Sequence, residues 1–151
     1  MLTYPIYKAM KLRLNGIAPI FYYMSQYQSG KDNTSYRVPA IYIETPKETA
    51  LSFYGRRTQV AKDARFKIHY ISDAPFKNHD NPVQDSAIAA HEEILKQIDT
   101  LITGWNLADT AGKLLTQQFL PVGASINNLV STSIFSVIEY RTEVFSYHLR
   151  S

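Results

Sequence analysis

Near the N-terminus, apolar side chains return every four residues, as Ile6, Met10 and Leu14, with Tyr7 and Ile17 beside that stripe. This period predicts an amphipathic helix over residues 3–15. Thr3 can cap it, Pro5 is tolerated because the first turn needs no amide hydrogen there, and Asn15-Gly16 ends it. The pattern then changes to aromatic and β-branched runs, "IFYYMSQYQ" at 20–28 and "YRVPAIYIE" at 36–44. The polar "SGKDNTS" between them favours a turn, so the pair is expected to form a hairpin, with Pro39 at an edge or a bulge.

A second strand pair is expected around Gly55, from residues 49–55 and 58–72. In the longer segment Val60, Ala64, Phe66, Ile68 and Tyr70 fall on one face by alternation, and Arg65, Lys67 and His69 fall on the other. The first set predicts core and the second a solvent face. "SDAPFKNHDNP" is a loop by composition. The segment 83–105, "VQDSAIAAHEEILKQIDTLITGW", carries the strongest helical period in the chain: Ile88, His91, Leu95, Ile98, Ile102 and Trp105, widened by Ile94 and Leu101.

Towards the C-terminus, "NLADTAGK" (106–113) predicts a loop, "LLTQQFLPV" (114–122) a short strand and "SINNLVST" (125–132) a turn region. The closing run 133–149 alternates, with Ile138, Tyr140, Thr142 and Val144 on one face and Glu139, Arg141 and Glu143 on the other. From Phe145 the large residues shift by one position. A one-residue slip exchanges the faces of a strand, so a bulge is expected near Val144–Ser146, or packing on a different surface. Fifteen extended residues reach roughly 50 Å, whereas a domain of this size is only about 40 Å across. The long strands must therefore bend, break or reach beyond their own domain.

Together these segments predict an α+β fold: one domain over residues 1–151, with a mostly antiparallel twisted sheet and two amphipathic helices packed on one face. The 151-residue length can bury a core, and the sequence has no cysteine for disulfides or a thiolate zinc site. No apolar run suits a bilayer span, and the first sixteen residues lack a signal-peptide pattern, so a soluble, cytoplasmically made protein with no membrane partner is expected. The net charge of +3 divides unevenly. Residues 1–72 hold eleven Lys/Arg against four Asp/Glu, or +7, while residues 73–109 hold two against seven, or −5. Such a division bears on partners more than the total does.

Candidate chemistry is sparse. His79, Asp80, His91 and Glu92 can be assembled into a metal set only on paper, since His91 has no second histidine three or four residues away. Its place on the apolar stripe predicts a buried, hydrogen-bonded ring instead. There is no G-x-S-x-G elbow and no cluster of glycines for phosphate, so neither an enzyme nor a cofactor is expected. The basic stretch "FYGRRTQVAKDARFKIHYISD" could follow a phosphate backbone through Arg56, Arg57, Lys62, Arg65 and Lys67. Yet Phe66 and Tyr70 lie on the opposite face by parity, and no nucleic-acid-reading motif occurs.

Three stretches carry a resemblance: "PIYKAMKLRLNG", the alternating "ARFKIHYISDAP" leading into "DSAIAAHEEILKQIDTLITGW", and the closing "SVIEYRTEVFSYHL". In this order they resemble the phage tail terminator and tail-completion family, across most of the chain and by pattern rather than by a diagnostic motif. The resemblance implies a non-enzymatic virion protein, assembled in the host cytoplasm, that forms a hexameric ring at the end of the tail tube. Its implied partners are further copies of itself, the tube and the head-tail connector, with DNA passing through the lumen without specific binding. Neck and head-completion adaptors share the architecture, and a small basic nucleic-acid-binding module is the alternative from another class. Arg56, Arg57, Arg65 and Lys67 are the candidate residues for a subunit interface or for the lumen.

Overall fold

The computed structural model describes residues 3–23, 38–46, 51–54, 58–73, 85–108, 111–130 and 133–145. The first helix, α1 (Thr3–Arg13), buries Ile6, Met10 and Leu14, the stripe set by its period. Lys11 and Arg13 lie in its last turn, where cations favour the carbonyl end of the helix dipole. The chain then enters β1 (Ile20–Tyr22), which pairs with β2 (Ala40–Glu44). This pair is parallel, Ile20 opposite Ile41 and Tyr22 opposite Ile43, and is not the hairpin expected from composition. Alternation defines the faces of a strand but not its direction. Residues 24–37, which include the expected turn, lie outside the described residues.

At the centre, β4 (Thr58–Asp73) and β8 (Ser133–Phe145) pair antiparallel over nearly their whole lengths. On its other edge β4 carries β2 and, further along, β3 (Leu51–Tyr54), which pairs antiparallel with its start, Tyr54 opposite Thr58; the expected turn at Gly55 lies outside the described residues. β8 carries β7 (Leu120–Val130) and β6 (Leu114–Gln118) end to end, and β5 (Asn106–Ala108) extends the sheet from β6. The eight strands thus make one mixed, mainly antiparallel sheet. Three expectations change here. Residues 106–108, read as loop, form a strand, and Gly112 (φ 83°) serves the turn after it. Residues 125–130, read as turn, continue β7 up to Val130, opposite Ser133. The single strand 114–122 divides at Phe119, whose backbone bonds instead to Gly104 and Trp105 at 2.8 and 3.1 Å.

The slip expected from Phe145 onward falls mostly outside the described residues, and within them a shift of register lies in the partner strand. Ala61 lies opposite Val144 and Ala64 opposite Thr142, so β4 has one residue more than β8 between them. The bulge therefore falls at residues 62–63, and Val60, opposite Phe145, is out of phase with Ala64, Phe66 and Ile68. A strand of sixteen residues is accommodated by this break in regularity.

The second helix, α2 (Asp85–Ile102), buries His91, Ile98 and Ile102 against the sheet. Gly104 stops it with φ 78°, a conformation that residues with a Cβ rarely adopt. Both helices share one core with Phe66, Ile68, Tyr70 and Tyr140 of the central strands. They are also tied to each other: Arg13 Nε donates to the Leu101 carbonyl at 2.9 Å, and its guanidinium lies 5.1 Å from the Trp105 ring. The α+β arrangement with both helices on one face is as the periodicities predict.

Candidate functional site

On the face of the sheet away from the helices, neighbouring strands bring charged residues into one row. Glu44 of β2, Lys67 of β4 and Glu139 of β8 stand side by side in register. Lys67 Nζ lies 3.8 Å from Glu44 Oε2. One step along, Arg65 faces Arg141, a like-charge pair that is unfavourable when directly opposed. Arg65 turns to Asp63 instead, donating Nε and Nη2 to its two carboxylate oxygens at 3.0 and 3.1 Å, with Glu139 3.9 Å from Nη1. The hydrogen bond to Asp63 holds the guanidinium pKa above its ordinary value.

In the other direction the face closes over. His69 is 3% exposed, its ring stacked on Tyr23 at 4.0 Å and 8°. Its Nε2 lies 3.1 Å from Glu44 Oε1, and a carboxylate can only accept, so this nitrogen carries the hydrogen. Burial pulls the His69 pKa down to about 4, against the upward effect of Glu44. Beyond it, Ala40, Tyr42 and Ile71 form a second small core with Phe21, Val38, Tyr23 and Phe135. The expectation that Arg65, Lys67 and His69 share one solvent face therefore holds for the first two and fails for the third. A shallow cavity of about 430 Å³ lies between these groups, lined by Tyr23, Glu44, Lys67, His69 and Glu139 on one side and Gly123–Ala124 of β7 on the other.

Of the residues singled out in the sequence, Arg65 and Lys67 are brought together, each half-exposed and each near a carboxylate. Arg56 and Arg57 lie outside the described residues, as do His79 and Asp80. Sequence reasoning missed the compensating acids. Asp63 stands two residues from Arg65 in the same strand, whereas Glu139 meets the basic row only through strand order, which no local pattern encodes.

His91 occupies the helix side. Its Nδ1 lies 2.6 Å from Ser72 Oγ and its Nε2 2.9 Å from Ser136 Oγ, with the Tyr70 ring 4.8 Å away. Burial lowers its pKa to about 4, so the ring is neutral near pH 7. One nitrogen donates and the other accepts, an arrangement that pins α2 to β4 and β8. Nearby, Tyr140 donates to Asp99 Oδ1 at 2.7 Å, and Thr103 donates to the same oxygen at 2.8 Å. Burial, aided by Asp99, raises the Tyr140 pKa far above its ordinary value. Among the described residues no three His, Asp or Glu side chains gather as a metal set, and no helix is long and apolar enough to cross a membrane.

No known protein family and no curated protein matches the sequence. In fold, the chain is similar to a chain in the solved "Virion of native gene transfer agent (GTA) particle". The likeness covers 93% of this chain and 95% of that one, with a TM-score of 0.58 and 12% sequence identity. At that identity it is a likeness of fold.

Proposed function

We propose that this chain is a structural virion protein that forms a ring, hexameric by the family resemblance, at the end of a phage-like tail tube. There it stops tube growth and presents a docking surface to the head or its connector. The observation that carries this reading is the fold likeness, end to end on both chains, to a component of a gene transfer agent virion. It fits a molecule whose described polar groups are spent on holding elements together: His91 between two serines, Tyr140 and Thr103 on Asp99, and Arg13 on the end of α2.

Within such a ring, Arg65 and Lys67 belong to the bore rather than to the contact between subunits. Their charges are already met by Asp63, Glu44 and Glu139, which leaves little for a neighbour's acids to add. The same compensation suits DNA passage, because a row of alternating sign does not release counterions from phosphates as a basic track does.

The test is co-assembly of the full chain with a phage-like tail-tube protein, followed by electron microscopy. Rings capping tubes of uniform length are expected. Binding to the head connector alone would move the protein to the neck. A monomer that ignores both, or that binds short duplex DNA with a steep salt dependence, overturns the reading.

A further inference from the structure

The helix layer does not cover the whole sheet. α1 and α2 share the main core with β1, β2, β4 and β8, but among the described residues Pro121–Ala124 of β7, on the far flank of α2, stay exposed. A groove of about 440 Å³ runs there, walled by Leu95, Lys96 and Asp99 of α2 and by Pro121 and Val122 of β7, with Ser136 and Ile138 in its floor. Val122, one of its lining residues, is 42% exposed. At the opposite edge of the sheet the reverse holds, since apolar groups project. On α1, Tyr4 and Leu12 are 68% and 71% exposed, two helical turns apart on one stripe with Lys8 between them, and Tyr22 of β1 is 44% exposed beside Tyr7. α1 carries three bases and no acid (+3), whereas α2 carries Asp85, Glu92, Glu93 and Asp99 against Lys96 alone (−3). Of these charges Asp99 and Lys96 line the groove itself, and Glu92 lies one turn before Lys96 on α2.

We infer that the groove between α2 and β7 receives the exposed stripe of α1, Tyr4–Lys8–Leu12, from a second copy of this chain. The inference rests on the ring reading and says which surfaces make the ring. Protruding apolar groups at one edge meet a recessed apolar strip at the other, and a basic helix comes to lie along an acidic one. The contact continues the helix layer from copy to copy. It joins two different patches, so it is head-to-tail and is open to ring closure, and its opposite charges disfavour the pairing of like patches.

The test uses Leu12→Asp and Val122→Asp in the full chain, with association followed by sedimentation, alone and with tube protein. Both sites are exposed, so circular dichroism and melting should match the wild type. Each variant should weaken self-association by about tenfold or more. Leu12→Asp keeps an intact groove and Val122→Asp keeps an intact α1 stripe. Their equimolar mixture should therefore form a one-to-one dimer that grows no further. A mixture that stays monomeric overturns the head-to-tail contact. Variants that assemble like the wild type overturn this contact but leave the ring reading standing, with some other surface or another virion protein in the groove. A wild type that associates neither with itself nor with tubes overturns both.

Discussion

On the helix side of the central strands, Phe66, Ile68 and Tyr140 are wholly or nearly wholly removed from water beneath α1 and α2. Along the same backbone, on the other side, Arg65, Lys67 and Glu139 stay half in water and neutralise one another across strands. Only a little further along that second side, His69 and Ile71 are buried again, under Tyr23, Phe21 and Phe135. Alternation separates the two sides cleanly, yet it does not tell where on a side the cover begins or ends. A covered side resists change through packing; an open one is held by charges that water screens.

The sharpest way to break this contrast is Phe66→Ala against Lys67→Ala, one residue apart on opposite sides of β4. Phe66 is fully buried and meets Phe119 edge-on at 5.7 Å, so its truncation should cost about 3–5 kcal/mol in chemical denaturation. Equal small losses at both positions would show that the helix side is not the main core.

Acid should act on both sides at once, through their buried histidines. His69 and His91 have pKa values near 4 in the fold, below the ordinary 6.5. The unfolded chain therefore takes up protons first as pH falls, and stability rises with pH across that interval. It is complete above about pH 6.5 and should drain away as pH falls through about 4, by about 2–4 kcal/mol for each histidine. His91→Gln should start from a lower melting temperature at pH 7 and show a flatter decline. An unchanged slope would remove His91 from the account.

A smaller loss is expected from Tyr140→Phe, which keeps the ring in the core and deletes only the hydrogen bond to Asp99. About 1.5–3 kcal/mol is expected for a bond to a charged acceptor, and pairing it with Asp99→Asn should give less than the sum of the two single losses. Strict additivity would argue that the two groups act separately. The smallest effect belongs to Lys67→Ala, below about 1 kcal/mol and fading with added salt, since the ion pair is half-exposed.

Much of this molecule follows from local pattern. The spacing of Ile6, Met10 and Leu14 and of His91, Ile98 and Ile102 fixes two helices and the sides they bury, because a 3.6-residue period leaves only one apolar stripe on each. The alternation of Phe66, Ile68 and Tyr70 likewise assigns the core side of β4, and His91 on an apolar stripe was legible as a buried ring. The rest depends on residues far apart in the chain. The parallel course of β1 beside β2, the extra residue at 62–63 and the strands at 106–108 and 125–130 all arise from pairing, whose partners no local period names. Arg65 and Lys67 could be picked out as a basic row from sequence. That Glu44 and Glu139 flank Lys67, turning a basic row into a neutral one, was decided only when β2, β4 and β8 came side by side, because a charge's effect is set by its neighbours in space.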